Sequence, residues 1–174
     1  LVKHELASSA YNDRRKSCEN VVAAMKKHWP EVETLRDATY DMLDEVRNEV
    51  SEEDALRAKY VIGEKYRVLE VCVALEEGDY EEVGKKMYET HHGLSKEYEV
   101  SCPELDFLND VAHSCGVTGS RIMGGGFGGC TINLVSEDLY ANFIETAKKA
   151  YKEKYGKEPV VIDVVIGDGA RKLC

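Results

Sequence analysis

Gly124-Gly125-Gly126-Phe127-Gly128-Gly129 runs straight into Cys130-Thr131-Ile132-Asn133-Leu134-Val135, and the segment after the glycines decides the fold. Literally the stretch contains GxGxxG at Gly124, Gly126 and Gly129. A dinucleotide-binding turn needs a strand before it and a helix after it, so that the pyrophosphate meets a helix N-terminus. Here Cys130, Ile132 and Leu134 alternate with Thr131, Asn133 and Val135, which predicts a strand. The Rossmann reading fails on that context. A Walker A loop fails too, because no Gly-Lys-Ser/Thr comes after the glycines. Glycines this dense let backbone approach backbone or ligand closely and permit positive φ, at a cost in conformational entropy. The chemistry leaves two readings open: a loop that lines a site, and a structural strand connection.

Upstream of the glycines the texture is helical. Tyr11, Cys18, Val22 and Met25 recur at helical spacing up to His28-Trp29-Pro30. A short helix is expected around Leu35 to Val46. Ser51 is placed to cap a longer one, with Ala55, Ala58, Ile62, Tyr66, Leu69 and Val73 on its apolar face and Gly78 at its end. Asp79 caps the next, which carries Val83, Met87, Thr90 and Leu94. Ser101 and Glu104 form a capping-box pattern around Pro103, with Leu105, Leu108, Ala112 and Cys115 as the buried stripe. Downstream, Tyr140, Ile144, Ala147 and Tyr151 mark another helix. Val160 to Ile166 reads as a buried β-branched strand, and Gly167-Asp168-Gly169 as a turn. Leu1 to Leu6 looks like the tail of a strand already under way. The order predicts an α+β fold, an antiparallel sheet packed against several helices.

The sequence has 174 residues, 23 Lys plus Arg and 33 Asp plus Glu, for a net charge of −10. An acidic chain is a poor nucleic-acid partner, since phosphate affinity is built from Lys and Arg. No apolar run is long enough to cross a bilayer, and no signal peptide opens the chain. The expectation is no membrane and a cytoplasmic location. Cys18, Cys72, Cys102, Cys115, Cys130 and Cys174 are widely spaced with no CxxC, which suits reduced thiols rather than a zinc or redox motif. The five histidines show no metal spacing. Adjacent His91 and His92 would point about 100° apart on a helix. The acidic stretch from Asp41 to Asp54 reads as a solvated helix end and loop.

Gly119-Ser120-Arg121-Ile122-Met123-Gly124-Gly125-Gly126-Phe127-Gly128-Gly129-Cys130-Thr131 resembles the third conserved motif of GHMP-superfamily sugar kinases, in its galactokinase form. Val2-Lys3-His4-Glu5-Leu6-Ala7-Ser8-Ser9-Ala10-Tyr11-Asn12-Asp13-Arg14-Arg15, with Cys18-Glu19, is similar to the stretch that opens the second domain of that family. Leu35-Arg36-Asp37, Tyr98-Glu99-Val100-Ser101-Cys102-Pro103-Glu104-Leu105-Asp106 and Gly167-Asp168-Gly169-Ala170-Arg171 are further matches. They run in order over essentially the whole chain. The resemblance implies that residues 1–174 are a single domain, the C-terminal half of a galactokinase, with a ferredoxin-like arrangement and the N-terminal domain missing. The absent half would supply the phosphate-cradling loop, the aspartate that activates the sugar and an arginine that steadies transferred charge. ATP and Mg²⁺ would bind mainly there, so this chain by itself is expected to be inactive and to hold no metal or catalytic group.

The resemblance also implies roles for residues present here. Read by itself, Tyr11 is a core aromatic at a helix start; the family match makes its hydroxyl a contact to bound galactose. Gly124, Gly125, Gly126, Phe127, Gly128 and Gly129 become a wall of the cleft, packed beside the phosphate loop, with Phe127 as anchor. Ile122-Met123 stand where many members carry Met-Thr. Arg14 and Arg15 match a paired arginine of the family and read as structural. Thr90-His91-His92-Gly93-Leu94 resembles a Ser-His-x-Ser-Leu stretch; Gly93 can offer no hydroxyl, and His91 reads as an interdomain or structural hydrogen-bonding residue. The expected partners are the missing domain, galactose and ATP, with self-association through the severed face. The competing readings are a kinase for N-acetylgalactosamine or another sugar, a silent sugar and ATP sensor, and a free-standing α+β binding module.

Overall fold

The computed structural model describes residues 9–167 and residue 169. Its elements in chain order are α1 (Ser9–Met25), α2 (Tyr40–Glu45), a 3-10 turn (Arg47–Glu49), α3 (Glu52–Glu77), α4 (Tyr80–Lys96), α5 (Pro103–Ser114), β1 (Gly119–Met123), β2 (Cys130–Leu134) and α6 (Glu137–Tyr155). Helices thus pack with an antiparallel sheet, the α+β class that the order of elements predicts. The expected strand at Leu1 to Leu6 lies outside the described residues, as does Asp168 of the expected turn.

Local chemistry sets the helix ends. The Ser51 side chain accepts from Asp54 N–H, and the Asp79 side chain from Glu82 N–H, each satisfying an orphan donor of a first turn. Gly78 ends α3 in the left-handed conformation, with φ +72°. Pro103 opens α5, as expected, but its cap is Cys102, which makes no side-chain bond. Ser101 stands one position before that cap and its hydroxyl donates to Asp106 instead of accepting from a first-turn N–H, so the capping box fails.

The core has two centres. Val21 and Met25 of α1, Val32, Leu35 and Ala38 of the following segment, Leu43 of α2 and Ala55, Ala58 and Ile62 of α3 form one. Val111, Ala112, Val117, Phe143 and Ala147 form the other, where α5 meets α6. Between them α4 lies directly on β1. A Cβ at Gly84 would fall 1.9 Å from the Thr118 carbonyl oxygen, and one at Gly119 would fall 2.6 Å from the Gly84 Cα, so only glycines allow this approach. Asn109 of α5 donates from Nδ2 to the Ser120 carbonyl, 2.8 Å, and pins the other side of the strand.

Two expectations are corrected here. Val160 to Ile166 is neither strand nor buried among the described residues: Val165 is 95 % and Ile166 98 % exposed. A β-branched run becomes a strand only against a partner edge, and none of the described backbone pairs with it. Leu69 and Val73 also lie open to solvent, because the packed face of α3 narrows beyond Tyr66, where only Ala74 is buried.

Candidate functional site

The register of the sheet pairs Met123 with Cys130, so residues 124–129 are the loop that joins β1 to β2. Gly124, Gly126, Gly128 and Gly129 all have positive φ, which accounts for most of the glycines. Phe127 does too, at φ +57°, although it carries a side chain. The loop is held from outside. Phe127 N–H donates to the Val100 carbonyl at 2.6 Å. A Cβ on Gly126 would lie 2.3 Å from that same oxygen and 2.7 Å from the Val100 Cβ. Glycine is required there by close approach as well as by φ.

Val100 belongs to a strap, residues 97–101, that wraps the C-terminal end of α4. Glu97 and Tyr98 N–H both donate to the Gly93 carbonyl, at 3.0 and 2.8 Å, and Val100 N–H to Leu94 at 2.9 Å. Gly93 itself cannot be larger: a Cβ would sit 2.4 Å from the Tyr60 ring. Glu99 takes φ +54°.

Two charged groups hold the strap. On one side is Arg14 of α1, whose Nε donates to the Tyr98 carbonyl at 3.1 Å and Nη2 to the Glu99 carbonyl at 2.8 Å. Its guanidinium also lies over the Phe127 ring, 5.5 Å from the centroid. On the other side is Asp106 of α5, which accepts from Ser95 at 2.9 Å and from Ser101, with His91 Nε2 at 3.2 Å. His91 is buried, and burial lowers its pKa against the opposing pull of Asp106. Its contact to Asp106 lies within this domain, which suits the structural one of the two readings of its sequence context. Arg15 points elsewhere and pairs with Glu19 at 2.9 Å; helical geometry separates the two neighbours.

Tyr11 lies one helical turn before Arg14 on α1 and is 42 % exposed, so it is not packed in the core. It is near enough to help raise the Tyr98 phenol, which burial and Cys18 already hold well above the usual range. The Cys18 thiol sits 3.8 Å from the Tyr98 hydroxyl, and burial raises its pKa in turn. Tyr11, Arg14 and the glycine loop therefore gather at one edge of the molecule, linked by the strap. The sequence singles out the glycines, Tyr11 and the segment from Tyr98 to Asp106, but not the strap as the part joining them. The signal is there in that segment's family resemblance, without its geometry.

Among the described residues, no three His, Cys, Asp or Glu side chains are grouped so as to hold a metal ion. The five described cysteines, Cys18, Cys72, Cys102, Cys115 and Cys130, are free thiols. Among the described residues, no helix is long and apolar enough to cross a membrane.

Comparison with known proteins agrees with this architecture. Residues 72–153 match the GHMP kinases C terminal family. Human galactokinase is 42 % identical over 99 % of this chain, which spans 42 % of that protein. Galactokinase from Thermotoga maritima is 35 % identical, again over 99 % of the chain and 47 % of the relative. The crystal structure of Lactococcus lactis galactokinase complexed with galactose superposes with a TM-score of 0.82 at 28 % identity, over 90 % of this chain and 41 % of that one. The chain thus spans less than half the length of these relatives. A strand–glycine loop–strand unit laid on α4, end-to-end similarity to galactokinases and this superposition lead to one conclusion: the chain carries a GHMP kinases C terminal match over residues 72–153 and is similar along its length to part of the galactokinases.

Proposed function

We propose that this chain is the C-terminal domain of a galactokinase that transfers the γ-phosphoryl group of ATP to the C1 hydroxyl of galactose. The observation that carries the reading is the similarity to galactokinases along 99 % of the chain. Phosphoryl transfer relies on positioning and on neutralising developing charge rather than on covalent chemistry from the protein. Within that scheme this chain supplies positioning. The Tyr11 hydroxyl offers a donor and an acceptor on a rigid apolar plate, a combination suited to a sugar ring. The glycine loop gives a wall of nearly bare backbone, with Phe127 as its one side chain. The strap keeps that wall at a fixed distance from α1.

Mg²⁺ would have to be held outside the described residues, which provide no cluster of ligands for it, and no step here passes through it. The N-terminal half of the galactokinase would bring the phosphate-binding and sugar-activating groups, so the isolated 174 residues have no kinase activity in this reading. The enzyme works in the cytoplasm. The severed face and the exposed apolar residues promote self-association when the domain is separated.

The test is ATP consumption by the native gene product against a panel of galactose, N-acetylgalactosamine and glucose. The expected result is turnover with galactose well above the others. Turnover only with N-acetylgalactosamine would change the substrate, and sugar binding without ADP release would replace the kinase by a sensor. Tyr11→Phe in the same protein should raise the KM for galactose about tenfold, the value of one hydrogen bond to a neutral partner. An unchanged KM would remove Tyr11 from the sugar site.

A further inference from the structure

Among the described residues only two that are not glycine have a left-handed φ, Glu99 and Phe127. Such positions persist only when their surroundings over-determine them. Arg14 touches both: its Nη2 donates to the Glu99 carbonyl at 2.8 Å, and its guanidinium covers the Phe127 ring at 5.5 Å. Its Nε donates to the neighbouring Tyr98 carbonyl at 3.1 Å, and Nη1 is 3.4 Å from the Ala10 carbonyl of its own helix. The Glu99 carboxylate contributes less. It is 3.9 Å from Arg14, shared with Arg57 at 3.5 Å, and more than half exposed. The binding is therefore to backbone and ring.

We propose that Arg14 is the positioning residue of the glycine loop. Its planar fork fixes two consecutive carbonyls of the strap, which sets Val100 where its own carbonyl accepts from Phe127 N–H. The same guanidinium caps the Phe127 ring from the other side. The loop is thereby held at both its backbone and its one side chain. Because Tyr11 stands one turn earlier on α1, one residue also sets the spacing between that hydroxyl and the loop. A lysine cannot reproduce this: one ammonium does not fork to two carbonyls while lying flat on a ring. The inference rests on the reading of this loop as a wall of the substrate cleft for its functional meaning, but not for its geometry.

The experiment is amide hydrogen exchange on the native gene product, comparing wild type with Arg14→Lys, Arg14→Ala and Arg15→Ala. The probes are the peptide containing Phe127, the strap peptide 97–101, and a core peptide from the first half of α3. Arg14→Lys should speed exchange of the Phe127 and strap amides about tenfold, as expected when a local opening loses its restraining bonds, with the α3 peptide unchanged. Arg14→Ala should do at least as much, and Arg15→Ala nothing. A wild-type exchange pattern in Arg14→Lys overturns the proposal, since charge alone would then suffice. If Arg14→Ala loses protection everywhere, Arg14→Lys decides; loss everywhere in both makes Arg14 a general stability residue and also overturns it. Exchange does not depend on turnover. A wild-type protein with no kinase activity would therefore refute the proposed function and leave this test standing.

Discussion

Gly126 and Gly124 sit two residues apart in the same loop and face different constraints. Both have φ near +80°, at 80° and 86°, so any side chain meets the left-handed penalty of about 1 kcal/mol or slightly more. At Gly124 that is all, since nothing lies within 4 Å of a Cβ. At Gly126 the new carbon would also drive into the Val100 carbonyl at 2.3 Å, and backbone cannot swing aside as a flexible side chain can. Gly126→Ala should therefore cost about 3 kcal/mol in urea denaturation and Gly124→Ala about 1 kcal/mol. Equal losses would mean that the strap does not bear on the loop. His91 makes a second residue-scale case. Burial holds its folded pKa below the ordinary imidazole value. The unfolded chain therefore binds this proton at higher pH than the folded one. The related stability is complete above the ordinary value and is lost as pH falls through it toward the folded value. The urea midpoint should drop less between about pH 7.5 and pH 5.5 in His91→Gln than in wild type. An identical drop would show that His91 does not titrate in this window.

At the scale of elements, the features legible in the sequence are the ones set by neighbours. Ser51, Gly78 and Asp79 act within four residues of themselves, so their roles at the ends of α3 and α4 can be read directly. The strand after the glycines is legible for the same reason, from its alternation alone. Ser101 is not, because the helix begins one residue later than the pattern places it, with Cys102 as cap, and its hydroxyl is left to donate to Asp106. Arg14 is legible as structural but not as a clamp, because its carbonyl partners are 84 and 85 residues away. The contact of α4 with β1 is invisible too, though its signature is plain in the structure: Gly84 and Gly119, isolated glycines in otherwise regular elements, lie against each other. Gly84→Ala has ordinary helical φ and would gain helix propensity in an exposed position. Here its Cβ would overlap the Thr118 carbonyl at 1.9 Å. The expected outcome is a net loss of about 3 kcal/mol or more in chemical denaturation. A stabilised variant would show that α4 stands off the strand.

For the whole molecule, the informative residues are the apolar ones with nothing to cover them. The run from Val160 to Ile166 is legible as β-branched and strand-like, yet a strand is a relation between two segments, and the run names only one of them. Its Asp163 is held by the Tyr140 hydroxyl of α6, while Val164, Val165 and Ile166 face solvent. Leu69 and Val73 add a second apolar area on the far half of α3. Contiguous apolar surface with unpaired backbone beside it favours pairing with another chain. The net charge of −10 opposes association only through screened repulsion, which weakens within about 10 Å at ordinary salt. Apolar burial should win, and salt should strengthen the result. The isolated chain is therefore expected to show a mass above 19.5 kDa by light scattering at micromolar concentration, rising further when salt is added. Val165→Lys together with Ile166→Lys should return it to the monomer mass, because the two positions carry the most exposed apolar surface of the run. Leu69→Lys with Val73→Lys tests the α3 face in the same way. A wild-type chain that stays monomeric at high salt would show that neither surface is adhesive. Restoration by the α3 pair alone would move the contact from the 160–166 run to the helix.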